Sequence, residues 1–118
     1  MTALTLGTVP SSFVIEHLPQ ATLPEDDDWV ALVRAPEGLT VVRDATPWTE
    51  AERWTGLYGT EHGLDSPTRL SSVVSPLAEA DVPVFVLSTF HGDLVLTPER
   101  LQKTVAEALE GAGHRILR

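Results

Sequence analysis

The period of apolar and polar positions changes along this chain, and the changes mark its elements. Val82-Pro83-Val84-Phe85-Val86-Leu87-Ser88-Thr89-Phe90 is a mostly apolar run rich in β-branched residues. It is too short to span a membrane as a helix and suits a buried strand. Before it, Leu70, Val73, Val74 and Leu77 repeat at i, i+3, i+4 and i+7, the one-sided stripe of an amphipathic helix. After it, His91-Gly92-Asp93 predicts a hairpin turn, because Gly92 accepts a positive φ and Asp93 bonds its own neighbouring backbone. Leu94-Val95-Leu96 returns as a strand, and Leu101, Val105 and Leu109 line the inner face of a second helix. With strands at Trp54–Thr60 and His114–Leu117, residues 53–118 read β-α-β-β-α-β, the ferredoxin-like order.

Local punctuation sharpens these bounds. Ser66-Pro67 and Thr97-Pro98 each pair an N-cap residue with a proline suited to the first helical position, predicting helices over 67–80 and 98–111. Gly111 or Gly113 ends the second. Pro76 lies inside the first helix. It withdraws the hydrogen bond to the Ser72 carbonyl, at roughly 3 kcal/mol if nothing compensates. Gly56 and Gly59 weaken the strand that contains them. In the first half, residues 1–10 read as a loose lead-in, and strands are expected at 12–18, 29–34 and 39–43. Ala35-Pro36-Glu37-Gly38 suits a type I turn. Thr46-Pro47 predicts a short helix ending near Arg53. The expectation is an α+β fold, an antiparallel sheet with both helices on one face, preceded by a degenerate copy of the same unit that lacks its first helix.

Composition narrows the function classes. A chain of 118 residues supports one domain with two sub-lobes, and 42% hydrophobic content supplies a core. A formal net charge of -9 disfavours nucleic acid and anionic membrane surfaces. No cysteine is present, so disulfides and thiolate nucleophiles are excluded. No membrane-spanning run or signal-peptide pattern appears, and a cytoplasmic location is expected. The histidines His17, His62, His91 and His114 fall in separate segments without metal-ligand spacing. Glu25-Asp26-Asp27-Asp28 lacks the alternation and glycine of a calcium loop and reads as a solvated loop. Trp48 and Trp54 are expected in the core. No nucleophile elbow, phosphate loop or dinucleotide fingerprint occurs, so neither an enzyme nor a cofactor is expected.

Residues 72–79 (Ser-Val-Val-Ser-Pro-Leu-Ala-Glu), the run 82–87, then Ser88-Thr89-Phe90-X-X-Asp93 and Leu94-Val95-Leu96 resemble the small bacterial ACT-domain proteins. The same block resembles the cytosolic arginine sensors of animals (CASTOR), which look like fused pairs of such chains. Residues 30–37 and 39–42 are similar to the N-terminal hairpin of that family. The resemblance implies two regions, a degenerate ACT-like lobe at 1–52 and an ACT domain at 53–118. It also implies a regulatory amino-acid-binding module whose ligand lies between two ACT lobes. One lobe gives Ser72 and Val73, and the facing lobe gives Thr89, Phe90 and Asp93. Thr68 stands near a position where the family commonly has glycine, and its side chain narrows the pocket. With one full ACT unit per chain, the resemblance implies a homodimer.

The residue types suit that ligand. The first turn after Ser66 offers backbone N–H groups and a positive dipole end to a carboxylate, or is capped by Ser66 and water. Asp93 takes an ammonium in a charge-assisted bond, or closes the hairpin turn. Phe90 walls the pocket or packs. The alternative is a ligand-free ACT-like module that dimerises or docks on a partner.

Overall fold

The structure, a computed structural model, describes residues 3–19, 23–24, 29–60, 66–90 and 92–117. Strand β1 spans Thr5–Leu18, β2 Trp29–Ala35, β3 Gly38–Asp44 and β4 Trp54–Gly59. Helix α1 (Pro67–Glu79) follows, then β5 (Phe85–Thr89) and β6 (Gly92–Pro98). A 3-10 turn at Glu99–Leu101 leads into α2 (Gln102–Gly111), and β7 (Arg115–Ile116) ends the described chain. All strands join one seven-stranded sheet ordered β2-β3-β1-β4-β6-β5, with β7 beside β1. Among the described residues no helix is long and apolar enough to cross a membrane.

The core forms where alternation on the strands meets the stripes on the helices. Leu6, Leu57 and Val95 pack from the sheet against Val73 and Leu77 of α1 and Val105 and Leu109 of α2, all within 4% exposure. Burying each such side chain contributes roughly 1.5–3 kcal/mol. Leu96 follows Val95 and so points to the other face. There it joins Phe13 and Val42 in a second cluster, with Trp54 packed against it. Trp54 meets the Phe85 ring edge-on at 5.1 Å and 88°. Gly56 lies between these side chains. A Cβ there would stand 3.1 Å from Val9 and 3.2 Å from Phe13, so the glycine permits the packing rather than merely weakening the strand.

Both helices end in the same way. The Val82 amide reaches the Leu77 carbonyl and the Asp81 amide that of Ala78, with Asp81 at φ 58°. The His114 and Gly113 amides repeat the pattern on Leu109 and Glu110, with Gly113 at φ 97°. These are Schellman caps, and the glycine that ends α2 is Gly113. At the start of α1, Ser66 Oγ accepts the Arg69 amide at 3.3 Å, as its cap sequence predicts.

Several expectations are corrected. Residues 5–10 are strand, not lead-in, because β1 runs far enough to pair with both β3 and β4. The segment from Thr46 is a turn, not a helix. Thr49 Oγ1 accepts the Thr46 amide at 2.8 Å and Arg53 holds the Thr46 carbonyl at 2.8 Å. Thr97 is no cap: it lies within β6 with 2% exposure, and neither the 3-10 turn nor α2 has a side-chain cap. Strand β5 starts at Phe85 and is an edge strand with Phe85 and Val86 about 40% exposed, because no other strand among the described residues pairs with its outer side. Trp48 is 80% exposed instead of packed. The ferredoxin-like order would set the last strand beside the first of residues 53–118. Here β1 takes that place beside β4, and the two-residue β7 pairs in parallel with β1. Glu25–Asp28, His62 and His91 lie outside the described residues.

Candidate functional site

Strand β6 is antiparallel to both β4 and β5, so these two run in the same direction and finish at one end of the sheet. Helix α1 starts from that end, and the β5–β6 hairpin turns there. The cap of α1 and Thr68 in its first turn therefore share a sheet end with Thr89, Phe90 and Asp93. The hairpin is tight: Thr89 pairs with Gly92, whose φ is 150°, and Thr89 Oγ1 donates to the Gly92 carbonyl at 2.5 Å. The side-chain bond within the turn thus comes from Thr89. Asp93, half-buried, sits opposite Ser88, and Phe90 is 96% exposed at the tip.

Ser72 and Val73 have different surroundings. Val73 is fully buried against the sheet and presents no side-chain surface. Ser72 is half-buried and donates its hydroxyl to the Arg69 carbonyl at 2.7 Å. It faces a groove of about 630 Å³ between α1 and α2, beside Ser75, Pro76, Ala112 and His114. That groove contains none of the three hairpin residues. Within one chain, the residues expected to form a pocket stand as two separate groups.

His114, 5% exposed, is what sequence reasoning missed. The Schellman cap of α2 delivers it between two backbone groups. Its Nδ1 accepts the Leu4 amide at 3.1 Å, so its Nε2 carries the proton and donates to the Ser72 carbonyl at 2.7 Å. That is the carbonyl Pro76 leaves without a helical donor. The signal was present: a proline inside a helix requires a donor from elsewhere.

Residues 51–111 match the model of the ACT domain, just over half of the 118-residue chain. The chain belongs to the ACT-domain family. ACT domains are commonly regulatory modules that bind small molecules. Among solved structures, this ACT chain resembles protein Atu0741 from Agobacterium tumefaciens, at 24% identity and a TM-score of 0.80, over 99% of this chain and 94% of that one. It also resembles a protein of unknown function from Vibrio cholerae, VC0802, described as a possible transport protein. The identity is 17% and the TM-score 0.69, over 94% and 91% of the two chains. At these identities the likeness concerns the fold. No curated protein matches.

Proposed function

We propose that this ACT-domain chain is a non-catalytic regulatory module that binds an amino acid or similar small molecule in a pocket shared between ACT lobes. The observation that carries this reading is the hairpin tip. An almost fully exposed phenylalanine stands there, with Asp93 close by on the helix-facing side of β6, at the sheet end where α1 begins. Asp93 takes the ligand ammonium, the first turn of α1 near Thr68 offers N–H groups to its carboxylate, and Phe90 forms the wall. Ser72 and Val73 belong to the opposing lobe, Val73 seating the helix that carries Ser72. A second copy of the chain brings the two groups together, making a homodimer. Residues 1–52 act as a degenerate ACT-like lobe. The order β2-β3-β1, mirrored by β5-β6-β4, supports that reading, with β1 and β4 antiparallel at the centre. The resemblance to the arginine sensors supports the ligand class and a cytoplasmic setting.

A thermal-shift screen over the common amino acids tests the reading. A ligand that binds only the folded state raises Tm with concentration. No shift with any amino acid at millimolar concentration overturns it. A second reading, a ligand-free docking or dimerisation module, is favoured by β5, an exposed edge strand (Phe85-Val86-Leu87-Ser88-Thr89) without a charged residue. Dimers in sedimentation together with a silent screen would select it.

A further inference from the structure

Three strands that face α2 change character together. Toward the hairpin end their helix-facing positions are Leu6, Leu57 and Val95, and these belong to the core. Two residues along, the same face carries Thr8 on β1, Thr55 on β4 and Thr97 on β6, with Thr55 and Thr97 directly opposite each other. Above them lies a cavity of about 460 Å³, roofed by Gln102 and the small Ala106 of α2.

Thr97 is only 2% exposed, yet its hydroxyl has no hydrogen-bond partner among the described residues. No fully enclosed side-chain nitrogen or oxygen of the described residues lacks a partner, so the Thr97 hydroxyl must open onto the cavity it lines. The hydroxyl is a polar group offered to the cavity from a position where valine would pack without any need for a hydrogen bond. Thr8 donates to the Leu117 carbonyl at 3.1 Å and keeps its acceptor capacity. The groove continues past Thr8 and Thr55 into a second hollow of about 360 Å³, where the β1–β4 pairing slips between Thr8 and Ser12. Bulges of this kind recur beside binding sites.

We infer that this groove is a second ligand site, separate from the hairpin end of the sheet, and that it takes a small neutral polyol. The class follows from the charges. The strand positions of the floor carry hydroxyls and no ionised group, and Glu99, which lines the second hollow, accepts the Ser12 hydroxyl there, so a charge lowered to Thr97 would be desolvated without a counter-ion beside it. A ligand hydroxyl both gives and accepts, as threonine hydroxyls and the Gln102 amide do. Lys103, Glu107 and Glu110 line the same cavity from α2 and offer a donor and acceptors to outer hydroxyls. Leu57, Val105 and Ile116 supply the apolar wall against which the carbon skeleton lies.

The test is an amide NMR titration of the full chain with myo-inositol, D-ribose and D-glucose. Concentrations run to about 50 mM, well above the roughly millimolar Kd that a few hydrogen bonds sustain. The expected result is a saturable shift from at least one probe, centred on the amides of Thr8, Thr55, Thr97 and the first two turns of α2. Thr97→Val, close in shape, should weaken binding at least tenfold while Thr97→Ser retains it. Three outcomes overturn the inference: no saturable shift with the wild type, which leaves the cavity to water; equal affinity in Thr97→Val; or shifts centred on residues 89–93. Binding of L-alanine at these amides without any polyol response overturns the ligand class. Because the amino-acid reading is judged on the hairpin end and on Tm, either proposal can fail alone.

Discussion

His114 Nε2 lies 2.7 Å from the carbonyl oxygen of Ser72, the acceptor that Pro76 deprives of its helical partner. One side chain thus repairs the break in α1 and, through Nδ1, anchors the backbone of Leu4. Removing it strands two buried backbone groups, each costing about 1–3 kcal/mol. His114→Ala should therefore lose about 2–4 kcal/mol in chemical denaturation. Pro76→Ala restores an amide to the helix, so the loss should shrink by about 1 kcal/mol in that background. Additive effects in the double-mutant cycle would show that the two residues do not serve the same carbonyl.

The proposed function gives Asp93 a role in binding, whereas Thr89 holds the hairpin turn. Thr89 closes the turn through Gly92, so Thr89→Val should cost about 1 kcal/mol of stability. Asp93→Asn should leave Tm nearly unchanged and weaken amino-acid binding ten- to a hundredfold, the loss of about 1.5–3 kcal/mol from a charged hydrogen bond. Calorimetric titration and a thermal melt on the same samples separate the two. Unchanged affinity with a lowered Tm would make Asp93 a turn residue.

Legibility followed how local each determinant is. The stripe Leu70-Val73-Leu77, the Ser66 cap and the Gly92 turn depend on neighbours a few residues away, and the helix and hairpin they predict are present. Thr97-Pro98 carried the same local signal as Ser66-Pro67, but the β6 ladder extends through both residues and leaves the threonine under α2. The place of β1 between β7 and β4 depends on pairing across more than a hundred residues, which no local period encodes. The candidate site residues were chosen by type. That Ser72 turns toward α2 while Phe90 stands in solvent depends on the packing of α1, and only the fold displays it.

Asp81 holds a left-handed backbone at φ 58° in the cap of α1. A side chain there is disfavoured, less for aspartate than for most, and a β-branched residue is the worst choice. Asp81→Val should lower stability by about 1–2 kcal/mol. Asp81→Gly should be neutral or stabilising by up to about 1 kcal/mol. Equal melting temperatures for the two variants would show that the cap relaxes freely.

The β5 edge offers a test of assembly. Val86 is 38% exposed on the outermost strand. A lysine on an edge strand blocks strand addition while costing the monomer little. Val86→Lys should shift a sedimentation profile from dimer to monomer, with stability changed by less than about 1 kcal/mol. A dimer that survives the substitution places the interface elsewhere.

The pairing of β7 with β1 bears on how the chain acquires its structure. The Arg115 amide reaches the Leu4 carbonyl at 2.9 Å, and the Leu117 amide reaches that of Leu6 at 2.8 Å. The first strand of the sheet therefore waits for residues more than a hundred positions further along the chain. During synthesis β1 can recruit β3 and then β4, but β7 and the imidazole that holds Leu4 emerge only after both. Closing so long a loop is entropically slow. The clasp of residues 4–6 on 114–117 should accordingly be a late event in refolding. A short peptide bridge across the same clasp, with new ends opened at a surface turn such as Pro36-Glu37, would turn that late, long-range step into an early, local one.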